Sequence, residues 1–321
     1  MNRYCASFFS RCIFTLAAVF LAGGANAAAP VEESANAAPL TAGGLPGAPD
    51  KKRSAAEQLF DGGREALLHK DYAAAEQAFR RAAGLGYAPA QSALARFCLS
   101  GVAAPANPDE ALEWYQRAVE QGDADGQTGL GLMYAQGLGV EKNDELAARL
   151  LRQAAEQGNP LAQSSLGQFY RSGRGVESDE GIAAEWFRLA AIQGEVVAQN
   201  AIAAAFRDGR GVEVDEVEAA WWFRQAAEKG DPEAQANLGV MYRQGLGVHQ
   251  DDIEAVYWFR RAAEQGNSIG QYQLGVSYSE GLGLEADAGE ARKWLGAAAS
   301  QGLSEAREYL QSGQGPGPLI E

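Results

Sequence analysis

The chain is poor in the side chains that most chemistry uses. Only two histidines occur, His69 and His249, and three cysteines, Cys5, Cys12 and Cys98. That leaves no ligand set for a multi-histidine or cysteine/histidine metal centre and little for a disulfide framework. Basic residues are scarce too: 27 Lys and Arg stand against 42 Asp and Glu in 321 residues, a formal charge of -15. Nucleic acids and anionic membranes both recruit a basic footprint, so neither is expected as a partner. The longest apolar run, Cys12 to Ala22, is too short to span a bilayer, which needs about 20 apolar residues. An S-x-x-K motif is absent, which weighs against a serine penicillin-recognising enzyme, and so is a P-loop. No D-x-D-x-D-G calcium loop is present. No cofactor, no metal and no catalytic residue is expected.

What is present begins with a leader. Arg3 and Arg11 precede the apolar run, no acid interrupts it, and Ala25-Asn26-Ala27 follows as an A-x-A cleavage pattern. Residues 1–27 therefore read as a signal peptide, with no membrane insertion after cleavage near Ala27. Cleavage removes Cys5 and Cys12 and leaves Cys98 alone, so an exported chain has no internal disulfide. Residues 28–54, with Pro30, Pro39, Pro46 and Pro49, cannot bury enough apolar surface to offset chain entropy and read as a disordered linker. The tail 312–321 reads the same way.

Between these ends the chain repeats with a period of 36. Gly86, Gly122, Gly158, Gly194, Gly230, Gly266 and Gly302 keep step without a slip. Ala111, Ala147, Ala183, Ala219, Ala255 and Ala291 form a second column, and Trp114, Leu150, Trp186, Trp222, Trp258 and Trp294 a third. Gln91, Gln127, Gln163, Gln199, Gln235 and Gln271 form a fourth, expected to hydrogen-bond backbone in the adjoining turn. One unit shows the physics. Asp231 is an N-cap and Pro232 a first helical residue. Leu238, Met241 and Tyr242 make an apolar stripe at helical spacing. Gly245-Leu246-Gly247-Val248 ends that helix, because glycine adopts positive φ without strain. An aspartate, Asp251 or Asp252, caps a second helix whose stripe is Ala255, Trp258, Phe259, Ala262 and Ala263. Each unit is a helical hairpin too apolar on one face to stand alone, so stacking must bury that face.

The recurring A-x-x-W-[FY]-x-x-A-A-x-x-G, followed by A-x-A-Q-x-x-L-G-x-x-Y-x-x-G-x-G-V, resembles the Sel-one-like repeat (SLR) family, relatives of the tetratricopeptide repeats. The resemblance implies an all-α fold, a right-handed α/α solenoid of helical hairpins. Residues 55–86 resemble a tetratricopeptide-like capping hairpin, 87–302 form six Sel-one-like repeats, and 303–311 read as a C-terminal capping helix. Two units depart from the pattern. Gly101-Val102-Ala103-Ala104-Pro105 replaces the G-x-G-V loop, and Leu150 replaces a tryptophan.

In the resembled fold the first helices line the concave face, so function is sought in their variable columns. Arg171, Arg207 and Arg243 stand in three successive repeats of an acidic chain, and guanidinium forks suit carboxylates. They are the candidate grip on an extended, partly acidic protein or peptide segment. Asn200 and Asn237 are placed to hold its backbone, and Gln168 and Tyr272 stand in neighbouring columns. The same arginines could instead pair with nearby acids. The expected function is an exported non-enzymatic scaffold in envelope assembly or signalling, periplasmic or else secreted. The alternatives are a binder or hydrolase of cell-wall fragments or β-lactams, and a secreted effector that binds host proteins.

Overall fold

The structure, a computed structural model, describes residues 51–312, with side chains from residue 55. The expected leader 1–27, the linker as far as residue 50 and the tail 313–321 lie outside the described residues. Every regular element among the described residues is a helix. Two compact units divide at Asn159 and Pro160. The first holds α1 (Lys51–Leu68), α2 (Tyr72–Gly84), α3 (Ala88–Ser100), α4 (Pro108–Glu120), α5 (Ala124–Gln136) and α6 (Asp144–Glu156). The second holds α7 (Pro160–Ser172), α8 (Glu180–Ile192), α9 (Val196–Asp208), α10 (Glu216–Glu228), α11 (Pro232–Gln244), α12 (Asp252–Glu264), α13 (Ser268–Glu280), α14 (Ala288–Ser300) and α15 (Ser304–Gln311). Inside each unit every helix packs on the next in chain order, and successive first helices also touch, as α3 does α5 and α11 does α13. This is the all-α, 36-residue hairpin stack that the repeats predict. One boundary is corrected: α1 starts at Lys51, so residues 51–54 are helical rather than linker. The last proline before α1 is Pro49, and lysine and arginine are good helix formers.

The alanine column is fully buried from Ala111 to Ala291. The tryptophan column forms the rim of the core rather than its centre. Trp222 and Trp258 are buried, but Trp114, Trp186 and Trp294 are partly exposed. Trp114 and Trp294 donate their indole N–H to Glu110 and Glu290, one turn earlier, at 3.3 and 2.9 Å. The centre is the following residue, Tyr115, Leu151, Phe187, Phe223, Phe259 or Leu295, each almost fully buried. These side chains press on small residues of the first helix. A Cβ at Gly167 or Gly239 would strike the Phe187 or Phe259 ring, so the glycine sets how closely the hairpin closes.

Caps and loops are shared features of both units. Asn107, Asn143, Asp179, Asp215, Asp251 and Asp287 each accept a backbone amide two or three residues on, which satisfies an orphan donor of the second helix. The same residues close the loop with their own N–H. Asn143, Asp179, Asp215, Asp251 and Asp287 donate to the carbonyls of Tyr134, Tyr170, Phe206, Tyr242 and Tyr278 at 2.9–3.0 Å. Cys98 takes the aromatic's place in the first repeat, its carbonyl accepting from Asn107 at 2.7 Å. Burial pushes the Cys98 thiol up to about 12, so it stays protonated at neutral pH. Gly245 and Gly247 both have positive φ. Gly247 carries the tighter demand, because a Cβ there would collide with the Glu216 carbonyl at the start of α10.

The glutamine column does more than bond backbone. Gln199, Gln235 and Gln271 donate to Ala191, Ala227 and Ala263 at the end of the preceding second helix, at 3.1, 3.0 and 3.3 Å. In the first unit Gln91 donates to Ala83 at 3.4 Å. Their Oε1 atoms accept from a second glutamine thirty residues later, just past the second helix of the same hairpin. The pairs are Gln121 to Gln91, Gln157 to Gln127, Gln193 to Gln163, Gln265 to Gln235 and Gln301 to Gln271, all at 2.7–2.8 Å. One buried amide thus ties three helices. The sixth pair is broken. Lys229 stands where a glutamine would, bonds the Gly194 carbonyl at 2.8 Å, and leaves the buried Gln199 Oε1 without a donor. Burial lowers the Lys229 pKa.

Three outcomes follow for stability. Lys229→Gln should raise it by about 1 kcal/mol in urea unfolding, because Gln199 regains a donor. The Gly194 bond need not be lost, since Gln301 bonds both Gln271 and the Gly266 carbonyl. Gly247→Ala should cost roughly 3 kcal/mol, from positive φ plus the collision. Gly62→Ala, inside α1 with open space at its Cβ, should gain about 0.5–1 kcal/mol. Equal effects at the two glycines would refute the packing account. The third outcome concerns pH. Glu195 caps α9, its carboxylate accepting from the Ala198 amide, and burial raises its pKa. The folded state then binds that proton more tightly than the unfolded chain. Stability from this group falls as pH rises from the unfolded value of about 4.3 through the raised folded value. Asn159 and Asn267 occupy the same place in other repeats. Glu195→Asn should therefore stabilise the protein at pH 7, with the gain shrinking as the solution is acidified to pH 4. A gain that is flat with pH would refute the assignment.

Candidate interaction surface

The arginine row is brought together by the last turns of three first helices, α7, α9 and α11. The 36-residue period puts each guanidinium over a phenylalanine of its own hairpin. Arg171 lies 5.7 Å from the Phe187 ring centroid, Arg207 5.6 Å from Phe223 and Arg243 4.7 Å from Phe259. The second anchor is the next first helix. Arg207 donates to Asn237 Oδ1 at 2.9 Å, and Arg243 donates to Gln273 Oε1 at 3.0 Å and to the Ser277 hydroxyl. The forks are also occupied locally. Arg207 grips Asp208 with two bonds, at 2.7 and 3.1 Å, and Arg171 bonds Gln168. Arg243 lies 3.7 Å from Asp252 and is mostly buried, which lowers its pKa.

The remaining candidates lie on the same row and are likewise engaged. Asn200 donates to Glu233 at 3.2 Å. Asn237 accepts from Arg207. Tyr272 stands edge-on to Tyr309 at 6.3 Å, and burial, followed by the nearby acids Glu305, Glu280 and Glu308, raises its hydroxyl pKa. The first unit shows the same kind of link, Arg96 reaching Asp125 at 3.8 Å. At Asn200, Arg207 and Arg243 the row is therefore a set of links between successive first helices. Of the two sequence-derived possibilities, pairing with nearby acids describes Arg207, on Asp208, and Arg243, beside Asp252. Chemically the row offers guanidinium edges, amides and a phenol at one-repeat intervals. Arg207, with a third of its side chain exposed, keeps more of its fork accessible than Arg243, and it shares Asp208 with Arg210.

Several features escaped the sequence reading. Gly266-Asn267-Ser268-Ile269-Gly270 spells the G-x-S-x-G of a nucleophile elbow. That elbow sits between a strand and a helix, whereas Ser268 follows α12 and opens α13, with Asn267 capping onto Gly270 at 2.8 Å. His249 is exposed in the α11–α12 loop, its Nδ1 beside the Gln250 carbonyl at 2.9 Å. Among the described residues no cluster of three or more His, Cys, Asp or Glu is placed to hold a metal ion. No helix among them is long and apolar enough to cross a membrane. The second glutamine column was legible as the glutamine one residue before most of the spaced glycines. The outer column of the second helices was legible too, since it turns apolar in two repeats only.

Comparison with known proteins places this geometry. The Sel1 repeat model matches residues 88–123, 124–159, 160–195, 196–231, 232–267 and 268–303 in unbroken succession. The crystal structure of a protective antigen present in uropathogenic Escherichia coli strains, displaying an SLR fold, is similar at 35% identity and a TM-score of 0.69. The match covers 82% of this chain and 57% of that one, so the present chain spans little more than half the antigen's length. A Sel1 repeat protein from Oxalobacter formigenes is similar at 31% identity and a TM-score of 0.68, over 75% of this chain and 99% of that one. No curated protein matches. Sel1 repeats typically serve as non-enzymatic, protein-binding scaffolds. Six consecutive repeat matches, carried on hairpins of the same period, make this chain a member of the Sel1-like repeat (SLR) family.

Proposed function

We propose that this SLR protein is an exported, non-enzymatic scaffold that holds a protein or peptide segment along its first-helix row, in the bacterial envelope. The observation that carries the reading is the pre-ordering of the arginine row. Each guanidinium is held over a ring, and Arg207 and Arg243 are also bonded to the next repeat. Side chains already fixed lose little entropy when a ligand arrives. An acidic segment lying across the row takes the place of Asp208 on Arg207, exchanging one bidentate carboxylate for another. Export is supported by the basic start, the short apolar run and the A-x-A pattern before residue 28. The periplasm suits a chain that keeps one buried thiol and needs no disulfide.

The test has two arms. Fractionated bacterial cells should yield protein shortened by the first 27 residues in the periplasmic fraction, and unprocessed protein in the cytoplasm would overturn export. Mature protein in the medium would replace the periplasm with secretion. In the second arm, Arg207→Glu should weaken capture of the partner from an envelope extract by ten-fold or more. The melting temperature should fall by a few degrees, because the Asn237 and Asp208 bonds are lost as well. Undiminished capture by a folded variant would remove the row from the binding surface.

A further inference from the structure

The outer face of the second helices changes character in two adjacent repeats. The first outward position reads Asp109, Glu145, Gly181, Val217, Ile253 and Gly289 along the chain, and the next, one turn on, Glu113, Arg149, Glu185, Trp221, Tyr257 and Lys293. Only α10 and α12 carry apolar residues at both. There Val217 is 66% exposed, Trp221 50%, Ile253 71% and Tyr257 50%. In each helix the pair is one turn apart, so the four side chains form two short parallel ridges on neighbouring hairpins. Four large apolar groups in one place exceed the scattered exposed residues normal on a surface.

The aromatic members are braced from beneath. Trp221 stands edge-on to buried Trp222, with centroids 4.4 Å apart, and Tyr257 stands edge-on to buried Trp258 at 5.0 Å. Arg261 lies over both Tyr257 and Trp258 and donates to the Tyr257 hydroxyl at 3.3 Å. Braced aromatic side chains are the kind that anchor an interface, because little rotamer freedom remains to be lost on contact. Nothing in the folding of the hairpins requires Val217 or Ile253 to be apolar, since glycine or an acid holds the same place in other repeats.

Acids dominate the charges around the ridges, where Arg261 is committed to Tyr257 and Trp258, and they select the occupant. Glu213, Glu216, Glu218 and Glu254 surround the N-terminal ends of α10 and α12, all exposed and none in an ion pair. A second copy of the chain docking symmetrically here would lay this acidic rim on itself, in a molecule already at -15. A partner of opposite sign meets both requirements at once. We propose that the Val217, Trp221, Ile253 and Tyr257 ridges, with their glutamate rim, form a docking surface for a basic amphipathic segment of a partner protein. Its apolar residues seat on the aromatic ridges and its lysines or arginines meet the glutamates. This surface is separate from the arginine row, which selects acidic segments, so the two can bind different partners or opposite ends of one.

The experiment uses the protein and two designed helical peptides of equal length and apolar spacing, one with lysine and one with glutamate at the polar positions. Tryptophan fluorescence and amide NMR shifts report contact. The lysine peptide should bind, shift resonances around residues 217–221 and 253–257, and weaken with added salt. The glutamate peptide should bind at least ten-fold more weakly. The variant Val217→Ser, Trp221→Ser, Ile253→Ser, Tyr257→Ser should lose lysine-peptide binding ten-fold or more, and Lys293→Ser, at the equivalent outer place two turns into α14, should not. Should the quadruple variant melt early, Ile253→Ser with Val217→Ser alone tests the ridges without touching the braced rings. Equal binding of the two peptides, binding untouched by the serine variants, or a ridge-dependent dimer in sedimentation would each overturn the proposal. Capture undiminished by Arg207→Glu, with lysine-peptide binding intact, would sink the first-helix reading and leave this one standing.

Discussion

The structure depends on one buried amide per repeat. A side-chain amide offers a donor and an acceptor on a short, stiff fork. The first-helix glutamine spends its donor on the end of the preceding helix and its acceptor on the end of the following one. The C-terminal end of a second helix is thereby held by two first helices, its own and the next, as α12 is by Gln235 and Gln271, while the alanine columns let the backbones approach. Buried polar groups are costly unless satisfied, so the same residue that aligns the hairpins penalises any slip of register. Lys229 shows the rule by its exception. The carbonyl that a glutamine would share is bonded by an ammonium group instead, and Gln199 is left half-satisfied in the core. Local stability is expected to be lowest where that link is missing, since contacts in a repeat stack are to nearest neighbours.

Most of the fold was legible because the chain states it six times. The capping aspartates, the loop glycines and the buried alanine column all stand where the period puts them. What the period could not reveal was rank within a column. Tryptophan is the larger residue and recurs visibly, yet the phenylalanine beside it is the one sealed in the core. The reason is geometric. Phe187 and Phe259 face a glycine across the hairpin, whereas the tryptophans face the rim, where Glu110 and Glu290 serve Trp114 and Trp294. The start of α1 was also hidden, because a basic tripeptide after a proline-rich stretch reads equally as linker end or helix start.

The candidate site was less legible than the fold, and Arg171, Arg207 and Arg243 show why. Sequence places them one repeat apart on a variable column, and that spacing serves two purposes. It sets forks at intervals a ligand could read, and it sets each fork within reach of the next first helix. The structure realises the second use directly, through Asn237, Gln273 and Ser277. The first use is compatible with it only for an arginine that keeps an exposed edge, and Arg207 keeps more of one than Arg243.

Variation inside a repeat array carries information of two kinds. Where a changed residue still makes the array's own contact, as the arginines do with their phenylalanines, the change belongs to stacking. Where a changed residue makes no contact that its counterparts lack in the fold, the change has been free to serve something outside the chain. Val217 and Ile253 are of the second kind, because Gly181 and Gly289 fill their place with no loss of helix. An exposed β-branched residue in a helix start gains nothing from helix propensity, since glutamate or alanine would serve better there. Its retention beside a braced aromatic, in two consecutive hairpins, sets the outer face of α10 and α12 apart from the rest of the stack.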